Sequence, residues 1–323
     1  MTTSFTFTAK SILLGSVLLS HLALAGQPIN KELETSGSPN VEIEHVNGEA
    51  IIKTWDKSAV KVTGELSDNT EEYQFEKRGA GVFLEIESKR HHNDWKNANT
   101  ANGDKLTIYV PVNSRVIYSA VTADLQIQDV MNATSAEIIN GDIKASNLQG
   151  RIKLETVNGD IRLDNVAGEL TVETVNGDIS GQHTGSQDAR FVTVNGDIQV
   201  DSQSALLRLE SVNGKIDFNA DRVSELDLIT VNGAVTGQIN LADNGDVNGT
   251  SVGGKLDLTF NQDISARFDM QAHAGGSIVN HLTDKQASKA KYGPNKWLEF
   301  TVGNGSARVE LSTVHGKIRL AKQ

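Results

Sequence analysis

No cysteine occurs among the 323 residues, so no disulfide framework holds this chain and its stability must come from packing. Proline is scarce, with 4 in the whole chain, and aromatic residues make up only 5%. So few rings argue against a dedicated face of aromatic platforms for sugars. No basic cluster is present either, and the formal net charge is −11. An acidic chain of this kind is a poor partner for nucleic acid or for an anionic membrane surface. Charge of this size serves instead to keep a β-rich protein soluble. Beyond residue 25 no apolar run approaches the roughly 20 residues that a helix needs to cross a bilayer, so no membrane span is expected there.

What is present begins with a segment of the signal-peptide type. Lys10 precedes an apolar run from Ile12 to Leu24, which closes in Ala23-Leu24-Ala25 before Gly26. A positive charge, a short apolar stretch and small residues at the cleavage point are the parts of a secretory signal. Residues 1–25 are therefore expected to be removed, and no Cys follows to carry a lipid anchor. The expected location is exported, in a periplasm or at the cell surface.

The strongest signal is an internal repeat. Asn-Gly recurs at Asn140, Asn158, Asn176, Asn195, Asn213 and Asn232, at intervals of 18, 18, 19, 18 and 19 residues. Aligned on asparagine, the flanking positions sort into columns. Directly before it stand Ile139, Val157, Val175, Val194, Val212 and Val231; three after it stand Ile143, Ile161, Ile179, Ile198, Ile216 and Val235. Four before it come Ala136, Leu154, Val172, Phe191, Leu209 and Leu228. Polar residues such as Lys153, Glu155, Thr171 and Glu173 lie between these apolar columns. That alternation puts one face of a strand inside and the other in water, and it excludes a helix.

Each unit thus reads as strand, Asn-Gly turn, strand, second turn. Asn-Gly between alternating runs also signals an antiparallel hairpin, because both residues tolerate positive φ. A near-constant period with the same residue type in each column favours a coil whose copies stack, about 4.8 Å apart. The expected fold is all-β, a parallel β-solenoid of 18–19-residue coils with irregular β caps at both ends; an antiparallel sandwich or propeller is the alternative. Because one unit cannot bury its own apolar face, stability becomes a sum over neighbours and the two ends need capping. The expected organisation is a signal peptide at 1–25, a flexible leader at 26–37 and an N-terminal β cap region at 38–130. Regular solenoid repeats follow at 131–250, and an irregular solenoid and cap at 251–323. Residues 88–103 and 283–296 read as loops, with a short helical turn expected within 284–291.

The text resembles a bacterial β-strand-repeat family of unknown function whose members carry an adhesin label. The resemblance rests on Val46-Asn47-Gly48-Glu49-Ala50-Ile51, on Trp55-Asp56, on Val60-Lys61-Val62 and on Tyr109-Val110-Pro111. It continues through the Val-Asn-Gly-Asp-Ile array to Val314-His315-Gly316-Lys317-Ile318. It implies a right-handed β-solenoid and brings no catalytic residues with it.

Candidate chemistry sits on the repeat. Asn140, Asn158, Asn176, Asn195, Asn213 and Asn232 are expected to form a structural turn ladder, amide bonded to amide along the axis. Asp142, Asp160, Asp178 and Asp197 would recur at the same spacing and offer a row of oxygen ligands to a cation. Two such exposed charges repel by only about 0.9 kcal/mol in water, so the row needs no metal to exist. Lys215 and Ala234 also break it. His91 and His92 near Asp94 form a weak metal candidate in a loop. Trp55, Trp95, Trp297 and Tyr292 are the aromatic candidates, with Trp55 expected to be core. No cofactor and no catalytic set is expected. The function expected is a non-enzymatic scaffold or adhesin-like protein of the bacterial envelope, binding a glycan or protein partner. The alternatives are a carbohydrate-active β-helix enzyme and a purely structural spacer.

Overall fold

A computed structural model describes residues 26–89 and 103–323. Within them every regular element is a strand, and the strands join one continuous sheet. Equivalent strands of successive repeats pair in parallel without offset. In the first stack Leu154 lies beside Val172, Val172 beside Phe191 and Phe191 beside Leu209. In the second stack Ile161, Ile179, Ile198, Ile216 and Val235 follow one another. Each column therefore becomes a row along the axis, and the inward rows of both stacks share one hydrophobic core. The fold is a β-solenoid. The antiparallel alternative fails across the array because every ladder there is parallel.

The column directly before asparagine does not join that interior. Ile139, Val157, Val175 and Val212 are each more than a third exposed, as is Val121 before Thr122 one coil earlier. One residue earlier, Thr156, Thr174, Thr193, Ser211 and Thr230 are buried instead. The reason lies in the turn. Thr174 Oγ1 donates to Gly159 O of the preceding coil at 3.2 Å, and Thr193 Oγ1 accepts the Gly196 N–H at 3.1 Å. Buried backbone groups need such partners, and a valine there would leave them unpaired. Thr174→Val should accordingly cost about 1–2 kcal/mol although it adds apolar surface. Val175→Thr next to it should stay within about 0.5 kcal/mol. Urea midpoints of the two variants test this pair, and equal losses would contradict it.

The Asn-Gly turns are not hairpin turns. No asparagine of the array has positive φ, and of its glycines only Gly141 does, at 145°. What glycine supplies is room: a Cβ on Gly177 would stand 1.8 Å from Gly159 O, and one on Gly214 1.6 Å from Gly196 O. The left-handed residues are in the second turn, at Asn147 and Asn165 (φ 52° each), with Gly150 and Gly168 after them.

Regular stacking runs past 131–250 in both directions, and at each end it departs from chain order. At the C-terminal end the coil formed by Ala307–Thr313 and Lys317–Lys322 sits beside Val235–Ser251 and Lys255–Phe260. Strands earlier in the chain, Ala266–Ala272 and Ser277–Asn280, lie outside it. Lys296–Val302 then closes the edge of Ala266–Ala272 in antiparallel fashion. The N-terminal end repeats the device. Asn40–Trp55 lies between Arg115–Gln128 and the outer pair Gly81–Ser88 and Asp104–Pro111. Antiparallel Thr70–Arg78 and Ala59–Leu66 cover that pair. Thr70–Arg78 carries Glu71, Glu72, Glu76, Lys77 and Arg78, the kind of charged edge that discourages pairing with another chain.

Two expectations fail here. The leader at 26–37 is not flexible: Gln27–Glu34 pairs antiparallel with Ala59–Leu66, and Ile29 is buried. An edge strand of a cap packs on one side only, so its sequence shows little alternation. Nor does 284–291 form a helical turn; Ser288–Lys289 pairs with Lys296–Val302.

Candidate functional site

Asparagine side chains bond to one another along the axis. Asn158 Nδ2 donates to Asn140 Oδ1, Asn176 to Asn158, Asn195 to Asn176 and Asn213 to Asn195, each at 2.8 Å, and Asn232 donates to Asn213 at 3.0 Å. A second, unanticipated ladder follows the left-handed turn: Asn165 Nδ2 donates to Asn147 Oδ1 at 2.9 Å, and Asn147 Nδ2 to Asp129 Oδ1 at 3.0 Å. The left-handed conformation suits asparagine and turns its amide along the stack.

The aspartate row has a backbone partner at every step. Asp142 Oδ1 accepts the Asp160 N–H at 2.9 Å, Asp160 Oδ1 that of Asp178 at 2.9 Å, and Asp178 Oδ1 that of Asp197 at 2.8 Å. Asp197 Oδ1 takes the Lys215 N–H at 2.7 Å. The row begins one coil earlier than its motif, with Asp124 accepting from Asp142. Arg162 spans the second oxygens of Asp142 and Asp160, at 3.2 and 2.7 Å. One oxygen of each carboxylate is therefore held by the protein itself. Among the described residues no three His, Asp or Glu side chains gather as a metal site requires. Asp160→Asn keeps the accepting oxygen and should shift stability by no more than about 0.5 kcal/mol. Neither protein should melt differently with calcium; a calcium-dependent rise in Tm that Asp160→Asn abolishes would reinstate the cation row.

The glutamates of the first stack are likewise engaged. Glu155 pairs with Lys153 at 2.7 Å, Glu173 with Arg190 at 3.3 Å, and Glu210 with both Arg190 and Arg208.

Trp55 is half-buried, donates its Nε1–H to Ala59 O at 2.7 Å and lies against Tyr109. Trp297, on the outer cap strand, is 42% exposed and Tyr292 is 83% exposed. His91, His92, Asp94 and Trp95 lie outside the described residues.

Two polar features escaped the sequence reading. The first is a buried network in which Asp104 Oδ2 meets His45 Nε2 at 3.2 Å and His45 Nδ1 meets the Tyr118 hydroxyl at 2.9 Å. Asp104 Oδ1 also accepts the Ser67 N–H and the Thr70 hydroxyl, both at 2.6 Å. Burial pushes the Asp104 carboxyl up, but the bonds from His45, Ser67 and Thr70 outweigh it and hold the group below its ordinary range. Burial drives the Tyr118 hydroxyl far above its own range. The network ties the outer cap to the first coils. No signal within a repeat announces it, because its members are 59 and 73 positions apart.

The second feature is a shallow groove on the outer face of the second stack, made of two adjoining hollows of about 500 and 610 Å³. One row along it runs Gln182, Asp201, Asn219 and Gln238. A parallel row places Gln203, Asp221, Asn240 and Asn261 along the same wall. Asn219 Nδ2 donates to Asp201 Oδ1 at 2.5 Å and Asn240 Nδ2 to Asp221 Oδ1 at 2.7 Å. His183 lies beneath, where burial lowers its pKa while its bond to Gly168 O at 2.8 Å opposes that shift.

A third hollow, of about 800 Å³, lies near the C-terminal cap. Asp269 stands between Glu299 and Glu310 there, but Arg267, Lys285 and Arg308 line it too, and Glu310 is paired with Arg308.

The family model described as Toastrack DUF4097 matches residues 36–321. No curated protein matches the chain. Among solved structures it is similar to a candidate cell adhesion protein from Clostridium sporogenes, 11% identical over 92% of this chain and 100% of that one, with a TM-score of 0.23. A candidate adhesin from Bacteroides fragilis is 12% identical over 92% and 98%, with a TM-score of 0.38. A candidate lipid binding protein from Parabacteroides distasonis is 14% identical over 91% and 97%, with a TM-score of 0.31. At such low TM-scores these likenesses carry no argument about binding.

Proposed function

The chain belongs to the Toastrack DUF4097 family, and on that premise we propose that it is an exported, non-enzymatic binding scaffold of the bacterial envelope, adhesin-like in role. One observation carries the reading: the polar groove crosses successive coils in unbroken register and sets amide and carboxylate side chains in rows along them. Repeated outward rows on a rigid stack offer a partner the same contact several times over. The aspartates of the array accept backbone N–H groups, which supports a structural role for them over a catalytic one. A leader ending at Ala25 would deliver the protein to a periplasm or the cell surface.

For a carbohydrate-active enzyme, one candidate among the described residues is the row of Glu299, Asp269 and Glu310. Glycoside hydrolysis needs one carboxylate kept protonated and a second ionised. Here Glu310 is paired with Arg308, and Arg267 and Lys285 line the same hollow. Full-length protein titrated with envelope material should bind saturably and release no reducing ends. Reducing-end release lost in Asp269→Asn would transfer the function to the enzyme class, and absence of saturable binding would leave only a spacer.

A further inference from the structure

We propose that the groove of the second stack is a subsite for a neutral polyhydroxylated chain, a glycan segment free of carboxylate, phosphate and sulfate. The inference rests on the scaffold reading and adds the ligand's chemical class. Each row sets one carboxylate, Asp201 or Asp221, among three amides, so donors and acceptors lie side by side. Planar groups of this kind take adjacent hydroxyls in pairs, and each hydroxyl can both donate and accept.

Charge narrows the class. Neither hollow is lined by a lysine or an arginine, whereas Asp201, Asp217 and Asp221 all face it. An anionic polymer would bring like charge against these carboxylates with no cation to offset it, on a chain of net charge −11. An uncharged polyol meets no such penalty.

Asn261, on the wall of the first hollow, has its Oδ1 atom buried with no hydrogen-bond partner. That atom is closed to solvent, so the groove's ligand contacts come from the exposed amides and carboxylates and not from it. Exposed rings are lacking along the groove, so each sugar unit is held by hydrogen bonds alone. Affinity should then grow with chain length until the ligand spans the coils from Gln182 to Gln238, about 14 Å of axis.

The test uses the full chain against malto-, cello-, manno- and chito-oligosaccharides of increasing length, with polygalacturonate and dextran sulfate as anionic comparators. At least one neutral series should bind, more tightly with length, and the anionic polymers at least tenfold more weakly. Gln182→Ala with Gln238→Ala should weaken the neutral ligand at least tenfold while leaving the melting curve unchanged. Preference for the anionic polymers, no neutral ligand bound, or no effect of the double substitution overturns the inference. Envelope material treated with periodate or with protease separates the two levels. Saturable binding that survives periodate and is lost to protease removes the glycan inference and leaves the scaffold; no saturable binding removes both.

Discussion

Gly196→Ala should open the stack in its middle. A Cβ at this position would stand 1.7 Å from Gly177 O and 2.4 Å from Gly177 C, and both are backbone atoms that cannot swing aside. The coils must separate locally, which breaks the asparagine bond between Asn195 and Asn176 and the aspartate bond between Asp178 and Asp197. Overpacking in a well-filled interior costs about 1–3 kcal/mol, and a forced backbone separation belongs at or beyond the upper end. Gly253→Ala is the matched control in the same layer of turns, since its Cβ would meet nothing closer than Val231 O at 3.6 Å. That variant should stay within about 0.5 kcal/mol of the parent. Chemical denaturation followed by far-ultraviolet circular dichroism reads both. Equal midpoints for the two variants would show that close stacking is not why glycine occupies the turn. Because stability in a stack is a sum over neighbours, the loss at Gly196 should also broaden the transition.

The second large effect is expected at Asp104. Asp104→Ala removes the acceptor of the Ser67 N–H and the Thr70 hydroxyl and leaves His45 buried without its carboxylate. Leaving buried donors without their acceptor costs about 1–3 kcal/mol for each group. Since the folded carboxyl lies below its ordinary pKa, its contribution is present above the unfolded value, about 3.9. The contribution disappears as pH falls through the lower folded value. Urea midpoints taken from pH 7 down to pH 3 should therefore show a steeper acid decline in the parent than in Asp104→Asn. Asn keeps one accepting oxygen and should lose less stability at pH 7 than Ala. Parallel acid limbs, together with a small loss in Asp104→Ala, would mean that the network does not hold the cap.

Legibility in the sequence followed the range over which each interaction acts. The period of Asn-Gly and the apolar columns at Leu154 and Ile161 come from a unit that repeats, and stacking only translates that unit. Columns therefore became rows, and the ladder from Asn140 to Asn232 was readable residue by residue. The Asp row was readable as a row, but its partners were not, because a backbone N–H leaves no mark in a list of side chains. The groove was hidden for a related reason: Gln182, Asp201, Asn219 and Gln238 share no residue type, and only register brings them together.

By itself, then, the amino-acid sequence determined an all-β repeat, its period and which residues stack on which. Tertiary structure decided three further things. It turned Val175 outward and Thr174 inward, because a buried turn needs a hydroxyl more than a methyl group. It made the Asn-Gly glycines from Gly159 to Gly233 a matter of clearance between coils and not of left-handed backbone. It also set the order of coils at both ends, where Ala307–Thr313 returns inside Ala266–Ala272 and Asn40–Trp55 lies inside Gly81–Ser88. Those pairings join segments without a shared period, so only the folded chain, closing its exposed ladder edges with antiparallel strands, could select them.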